Sequence, residues 1–178
     1  MVDVFIGIGS NIEPQKNVSI TLELLRLKFP SIVFSRTFES EAVGFNGDNF
    51  FNLVAKFEAK DLDANRSGSS DLVAKYSSSV DQLAFLVFQL KEIENHLGRK
   101  RGNKKFSARN IDIDVLLFGD LQIEKPVELP RGEILENAYV LWPLSELAPD
   151  LEHPGSDTTY AEYWRMFDKS SQRLEPVE

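Results

Sequence analysis

The fold is decided by residues 80–118, VDQLAFLVFQLKEIENHLGRKRGNKKFSARNIDIDVLLF. The first half has apolar residues every three or four positions, which predicts an amphipathic helix from Val80 to Leu97. Gly98 follows as a natural helix stop. The last eight residues, Ile111 to Phe118, are mostly apolar and predict a strand. This stretch is therefore expected to form a helix and a strand joined by a strongly basic segment.

The chain upstream of this stretch has the same kinds of pattern. Apolar residues alternate from Val2 to Ile8, as in a strand, and recur with helical spacing from Asn17 to Phe29. Two further strands are expected near Ile32 to Phe38 and Phe50 to Phe57. The resulting order, β-α-β-β-α-β, predicts an α+β fold of the ferredoxin-like type, in which helices pack on one face of a mostly antiparallel sheet.

The remaining segments are expected to belong to the same domain. A chain of 178 residues suits a single domain. Asp61 to Ser79 contains six Ser and few large apolar residues, and we expect a flexible insertion there. Recurring prolines after the fourth strand predict a C-terminal extension of loops, short strands and short helical turns. Residues 170–178 are expected to be a loose tail.

The composition excludes several kinds of chemistry. The absence of Cys excludes a disulfide scaffold, a thiol nucleophile and a cysteine-ligated metal, and two His are too few for a multi-histidine zinc site. The net charge of −8 argues against nucleic-acid binding. The chain has no long apolar run and starts without a signal-peptide pattern. We therefore expect a cytoplasmic protein without nucleic-acid or membrane partners, in which any metal is a hard ion bound by carboxylates.

The segment between the helix and the last strand is strongly basic. Residues 99–109 carry six of the twenty basic residues of an acidic chain. Such a segment creates a local positive potential that suits a polyphosphate. The alternative is a solvated basic turn, or basic residues that complement the carboxyl end of the helix.

Asp112 and Asp114 lie two residues apart in the predicted strand, so both carboxylates project from one face. Two carboxylates on an apolar strand are costly unless a cation offsets their charge. Magnesium is the natural candidate, because it binds one or two carboxylates and completes its octahedron with water and phosphate oxygens. The alternative is that nearby Arg or Lys side chains bridge the pair.

Phe50 and Asn52 lie on the face of their strand opposite the apolar side. There they could stack on, and hydrogen-bond to, a flat heterocycle. The alternative is that Phe50 covers a helix and Asn52 faces solvent.

Five stretches of the chain together resemble a known family. They are IGIGSNIEP (6–14), VGFNGDNFFNLV (43–54), IENHLGRKR (93–101), ARNIDIDVLLFGD (108–120) and AYVLWPLSELAPDLEHP (138–154). In this order they resemble the 6-hydroxymethyl-7,8-dihydropterin pyrophosphokinase family of folate biosynthesis. The resemblance implies the ferredoxin-like fold and a Mg²⁺-dependent transfer of pyrophosphate from ATP to the pterin hydroxymethyl group, which releases AMP.

The resemblance also implies roles for particular residues. The positions that match catalytic residues are Arg99, Arg109, Asp112 and Asp114, of which the two aspartates would hold two magnesium ions. Those that match the pterin pocket are Ser40, Val43, Gly44, Phe50, Asn52 and Tyr139. Those that match ATP-binding positions are Glu94, Arg101, Lys105, Arg109 and Arg131. The expected partners are ATP and a pterin alcohol, and we expect a monomer, with a dimer as the alternative.

The chain departs from the family pattern at several positions. Arg131 follows Pro130 where the family usually has His, Asn137 replaces an Arg, and Phe106 replaces a Trp. One alternative function is therefore a paralogue that binds pterin or nucleotide without catalysing transfer. Another is a single-stranded nucleic-acid binder, since ferredoxin-like sheets with exposed aromatic residues can bind RNA, but the net charge argues against it.

Overall fold

An antiparallel sheet of six strands forms the centre of the computed structural model, which describes residues 2–42, 47–64, 78–98 and 110–177. The strand order is β5-β1-β4-β3-β6, and β2 also pairs with β4. The strands are β1 (Asp3–Ser10), β2 (Val33–Phe34), β3 (Phe38–Ser40), β4 (Phe50–Glu58), β5 (Asp112–Phe118) and β6 (Leu174–Pro176).

The four predicted strand regions take the ferredoxin-like order. β1 lies between β4 and β5, with Ile6 opposite both Ala55 and Val115, and every strand pair is antiparallel. The expected strand from Ile32 to Phe38, however, is interrupted between β2 and β3. The interruption follows from Ser35, whose hydroxyl accepts the Val54 N–H at 3.0 Å where a main-chain carbonyl would otherwise do so.

One face of the sheet is covered by two helices, as the apolar spacing predicts. They are α1 (Pro14–Lys28) and α3 (Ser79–His96), and the four-residue α2 (Asp61–Ala64) lies between them in sequence. Proline at the first helical position starts α1 earlier than expected. The Ser78 hydroxyl caps α3 by accepting the Asp81 N–H. The residues buried between this layer and the sheet include Val4, Ile6, Leu25, Phe57, Leu86 and Ile113.

The other face of the sheet carries a second helical layer, which differs from the prediction of helices on one face and of short helical turns in the extension. It consists of α4 (Glu133–Glu136), α5 (Ala138–Leu147) and α6 (Tyr160–Met166). Pro143 lies inside α5 and gives up one helical hydrogen bond. Burial of Val140, Leu141 and Leu144 against the sheet compensates for the lost hydrogen bond, so the helix continues past Pro143.

The C-terminal residues are not a loose tail throughout. Leu174–Pro176 pair with β3 as strand β6, because β3 would otherwise leave an edge of unpaired main-chain groups. Of the expected insertion over residues 61–79, residues 65–77 lie outside the described part. No helix among the described residues has the length and apolar character needed to cross a bilayer.

Candidate active site

Asp112 and Asp114 project from the same face of β5, the face that also carries α5 and α6. The intervening Ile113 is buried against the α1 and α3 layer, and both aspartates are partly exposed. Gly9 lies opposite Asp112 and Gly7 lies opposite Asp114 on the neighbouring strand. Because glycine has no side chain, no Cβ projects from β1 beside either carboxylate. The expected common face of the carboxylates is therefore confirmed.

The outer edge of β5 is held by Glu94 and Arg131. The Glu94 carboxylate is fully buried and accepts the Ile113 N–H at 2.8 Å. The main-chain N–H of Arg131 donates to the Leu116 carbonyl at 3.0 Å. Glu94 also forms an ion pair with Lys91 at 3.1 Å. Glu94 therefore anchors β5 at Ile113, the residue between the two aspartates.

Arg131 makes an ion pair with one of the two aspartates. Its guanidinium lies 2.9 Å from Asp114 Oδ1 and 2.9 Å from Glu133 Oε1. Burial acts to lower the pKa of Arg131, but Asp114, Glu133 and Glu128 raise it overall. The alternative in which a protein cation bridges the aspartates is thus realised at Asp114. The contact uses one carboxylate oxygen, and a carboxylate has a second one for a metal ion.

The donor set fits magnesium. Asp112 and Asp114 supply hard, partly exposed oxygen ligands from two residues whose Cα atoms lie about 7 Å apart along the strand. Among the described residues, no group of three or more His, Asp or Glu side chains gathers into a metal site. A pair of carboxylates without further protein ligands suits magnesium, which retains water and takes phosphate oxygens.

Asn52, Ser40 and Phe50 form a polar and aromatic surface on the same sheet face as the aspartates. Asn52 lies opposite Gly9, so Asp112, Gly9 and Asn52 form one row across three strands. The Asn52 amide donates to Ser40 Oγ at 2.9 Å, and both residues are buried. The alternative in which Asn52 faces solvent is therefore wrong. With strands spaced about 4.8 Å apart, this surface lies about 10 Å from Asp112.

Gly9 leaves the space into which the Asn52 side chain fits. A Cβ at position 9 would lie 3.3 Å from Asn52 Oδ1, whereas one at position 7 would lie 3.4 Å from the side chain of Leu116, which is not part of the polar surface. Gly9→Ala is expected to displace the Asn52 amide and to weaken several-fold the binding of a flat heterocycle at this surface, with a smaller effect of Gly7→Ala. Fluorescence titration with a pterin as the probe heterocycle checks this, and equal affinities in both variants would contradict it.

Tyr139 lies in the first turn of α5, which packs across β3 and β4. The Tyr139 ring is partly buried and contacts the second core, the cluster of apolar residues between the sheet and the layer of α4, α5 and α6. One turn further along the helix, Trp142 packs on Phe38 of β3, with the ring centres 4.8 Å apart. The helix bearing Tyr139 is thus fixed on the strands that carry Ser40, Phe50 and Asn52.

The described residues on either side of the basic segment are hydrogen-bonded to each other. Asn110 Nδ2 donates to the Leu97 carbonyl at 2.8 Å, and the Asn110 carbonyl accepts from the Ser10 hydroxyl. The side-chain amide of Asn11, which follows Ser10, donates to the Asp48 carbonyl at 3.3 Å. Ser10 and Asn11 therefore bind residues close in sequence to two segments, 43–46 and 99–109, that lie outside the described residues. Sequence reasoning assigned no role to these residues, although their place at the end of a strand within IGIGSN was a usable signal.

The structure brings together part of the predicted site. Asp112, Asp114, Ser40, Phe50 and Asn52 share one sheet face, Arg131 contacts Asp114, and Tyr139 lies on the helix packed beside them. Glu94 lies on α3, and its carboxylate accepts a hydrogen bond from the Ile113 N–H at the outer edge of β5. The remaining predicted residues, Val43, Gly44, Arg99, Arg101, Lys105 and Arg109, lie outside the described residues.

A cleft of about 460 Å³ borders Arg131. Leu129, Pro130 and Leu135 give it an apolar wall, and Glu128 and His153 contribute polar groups. A second cleft of about 620 Å³ lies between Asn11 and the residues that precede β4. The first cleft therefore adjoins the site through Arg131, whereas the second is lined by Phe51, which packs on the opposite face of the sheet.

The fold and this face define the class of protein, a ferredoxin-like α+β sandwich with an acidic site beside a polar pocket on its sheet. The sequence gives the family directly. Residues 5–149 match the family described as 7,8-dihydro-6-hydroxymethylpterin-pyrophosphokinase (HPPK), and the chain belongs to this family.

Two relatives named 2-amino-4-hydroxy-6-hydroxymethyldihydropteridine pyrophosphokinase match most of the chain. The protein from Aquifex aeolicus is 30% identical over 157 residues, covering 86% of this chain and 85% of its own length. The protein from Pseudomonas aeruginosa is 29% identical, with 85% and 83% covered. The similarity therefore extends over more than four-fifths of both relatives.

Solved structures show the same fold at low identity. A structure titled as HPPK-DHPS in complex with substrates has a TM-score of 0.62 at 13% identity, covering 96% of this chain and 44% of the other. A Plasmodium falciparum HPPK-DHPS triple mutant with pteroate has a TM-score of 0.60 at 12% identity, covering 92% and 43%. This chain thus spans less than half the length of either.

Proposed function

We propose that this protein transfers pyrophosphate from ATP to the hydroxymethyl group of 6-hydroxymethyl-7,8-dihydropterin in folate biosynthesis. The pterin hydroxyl oxygen forms a bond to the β-phosphorus, the bond between that phosphorus and the α-phosphate oxygen breaks, and AMP leaves while the hydroxyl loses its proton. Family membership over residues 5–149 is the observation that carries the proposal. The row of Asp112, Gly9 and Asn52 across one sheet face supports it.

Asp112 and Asp114 are the proposed metal ligands, for two magnesium ions. When bound, the ions supply charge neutralisation to the triphosphate. The aspartates fit this role because they share a face and are partly exposed, and because β5 is held by Glu94 on its outer edge. A strand fixed in this way keeps both carboxylates in a constant relation to the pocket on β4.

The proposed ATP contacts are cationic, apart from Glu94. Arg131 carries its charge next to Asp114 and lines the 460 Å³ cleft, so the same guanidinium can contact a phosphate of a nucleotide bound there. Arg99 and Arg109 are proposed as catalytic. In sequence they directly adjoin Gly98 and Asn110, which are hydrogen-bonded to each other. Arg101 and Lys105 are proposed as further phosphate contacts.

The proposed pterin pocket combines a hydrogen-bonding amide with aromatic rings. Asn52 is buried and hydrogen-bonded to Ser40, so its orientation is fixed before a ligand binds. Phe50 and Tyr139 would sandwich the flat pterin ring, and Val43 and Gly44 are the proposed loop contacts. A pre-oriented polar group between two rings selects a flat heterocycle over other alcohols.

The chemistry needs alignment more than a strong base. Phosphoryl transfer depends on holding the alcohol in line with the phosphorus and on neutralising charge as it develops. The side chains at hand are carboxylates, guanidiniums and amides, which serve both purposes. Family membership therefore agrees with the chemistry of the residues on this face.

The direct test is incubation of the purified chain with the pterin alcohol and MgATP. Chromatography is expected to show AMP and the pterin diphosphate in equal amounts. Release of ADP, or no turnover of nucleotide with this pterin, would contradict the proposal. Tight pterin binding by calorimetry without AMP release would instead identify a binding protein without transfer activity.

We propose a cytoplasmic monomer that acts on small molecules and not on nucleic acid, because the net charge of −8 disfavours a polyanionic partner outside the basic segment. Light scattering coupled to gel filtration tests the oligomeric state, and a mass twice that of the 20.2 kDa chain would contradict it.

A further inference from the structure

The C-terminal segment contacts both walls of the proposed pterin pocket, although it lies beyond the family match at residues 5–149. Strand β6 pairs with β3, and Leu174 lies opposite Ser40, whose hydroxyl binds the Asn52 amide. Two residues before β6, Gln172 contacts the start of α5, the helix that carries Tyr139. One short segment therefore joins the amide wall to the aromatic wall.

Gln172 binds the junction between α4 and α5 with both ends of its carboxamide. Its oxygen accepts the Ala138 N–H at 2.9 Å, and its nitrogen donates to the Glu136 carbonyl at 2.8 Å. Ala138 is the first residue of α5 and is buried, so its N–H has no partner within the helix. The N-cap residue, Asn137, makes no side-chain cap hydrogen bond. Gln172 supplies this cap from a distant part of the chain.

Tyr139 directly follows the residue that Gln172 caps. The direction of the first turn of a helix determines where its side chains project. Loss of the cap frees an N–H and a carbonyl on either side of Asn137, and the first turn can then fray. Tyr139 would be displaced more than Leu141 and Leu144, which are buried deeper in the second core.

We propose that Gln172 is a positioning residue that holds Tyr139 in the orientation required to bind the pterin. The inference rests on the proposed function for the identity of the ligand. It assigns a role in substrate binding to a segment outside the region that matches the family. Both of these hydrogen bonds are to main-chain atoms, so they depend on the path of the chain and not on the identity of Glu136 or Ala138.

Gln172→Ala in the full chain tests this proposal, with Arg173→Ala as the matched control. Arg173 is the exposed neighbour, whose guanidinium donates to Glu175 and interacts at longer range with Glu39 and Glu41. Gln172→Ala is expected to raise the Kd for the pterin by about five- to ten-fold, as loss of one or two hydrogen bonds predicts. The KM for ATP is expected to change little, the melting temperature is expected to fall by a few degrees because a helix cap is lost, and Arg173→Ala should resemble the wild type.

Two further measurements separate positioning from a purely structural role. In a Tyr139→Ala background, Gln172→Ala is expected to add no further loss of pterin affinity, because both changes act through one ring. Without any ligand, amide hydrogen exchange at residues 138–140 is expected to accelerate in Gln172→Ala.

Unchanged exchange, unchanged pterin affinity, or additive losses in the double variant would each overturn the role of Gln172 and leave the proposed function intact. A wild-type chain that binds no pterin would overturn the proposed function, and the positioning role with it. Binding in the wild type therefore distinguishes the two failures.

Discussion

Asp114→Asn is expected to lower kcat at least about 100-fold, which corresponds to about 2.7 kcal/mol of transition-state stabilisation. The substitution removes one of two negative charges from the proposed magnesium site and leaves a weaker neutral oxygen ligand. Folding should be little affected, because Asp114 is partly exposed and Arg131 keeps its contact with Glu133. Steady-state release of AMP measures the loss of turnover, and urea denaturation measures the free energy of unfolding.

Asp120→Asn is the matched control for this variant. Asp120 lies exposed in the turn after β5, so the same charge is removed close by without a change to the carboxylate pair. Its kcat should equal that of the wild type. Binding of Mn²⁺, followed by electron paramagnetic resonance, should weaken in Asp114→Asn and not in Asp120→Asn. Wild-type turnover in Asp114→Asn would exclude the metal role.

Glu94→Ala is expected to destabilise the fold by about 2–3 kcal/mol, because the buried Ile113 N–H then loses its acceptor and a cavity replaces the carboxylate. Ile113 lies between the two aspartates on an edge strand of the described sheet, so the loss should also disorder the proposed metal site. Urea denaturation is expected to show a lower midpoint, and kcat should fall together with stability.

Glu94→Gln is the matched control, because a carboxamide oxygen can still accept the Ile113 N–H while the charge is lost. Its free energy of unfolding should lie within about 1 kcal/mol of the wild-type value, since the hydrogen bond to Ile113 is kept and the ion pair that is lost involves the partly exposed Lys91. A stable Glu94→Gln variant with a raised KM for ATP would support a separate contact to nucleotide. Equal destabilisation by both substitutions would contradict the anchoring role of the hydrogen bond.

Apolar spacing was sufficient to predict the main elements of the fold. The helix expected from Val80 to Leu97 is Ser79–His96, and the strand expected from Ile111 to Phe118 is Asp112–Phe118. These elements are long and each buries one continuous face, so local pattern and tertiary packing agree. The common face of Asp112 and Asp114 follows from the two-residue period of a strand, and for that reason it was also predictable.

Contacts between distant residues could not be predicted in this way. No local pattern brings Ser35 to Val54, and that contact divides an apolar stretch into β2 and β3. Prolines suggested loops after β5, but burial on the second sheet face outweighs the hydrogen bond that Pro143 removes from α5. Leu174–Pro176 look like a loose tail in isolation, and pair only because β3 presents an open edge.

The sequence by itself determined the order of the main helices and strands, the common face of the two aspartates and the family. Each of these follows from residue types at short spacing or from motifs in a given order. Only the tertiary structure decided that Arg131 binds Asp114, that Glu94 anchors β5 and that Gln172 caps the helix of Tyr139. These contacts join residues 17 to 36 positions apart, and their formation depends on which surfaces the packed core brings together.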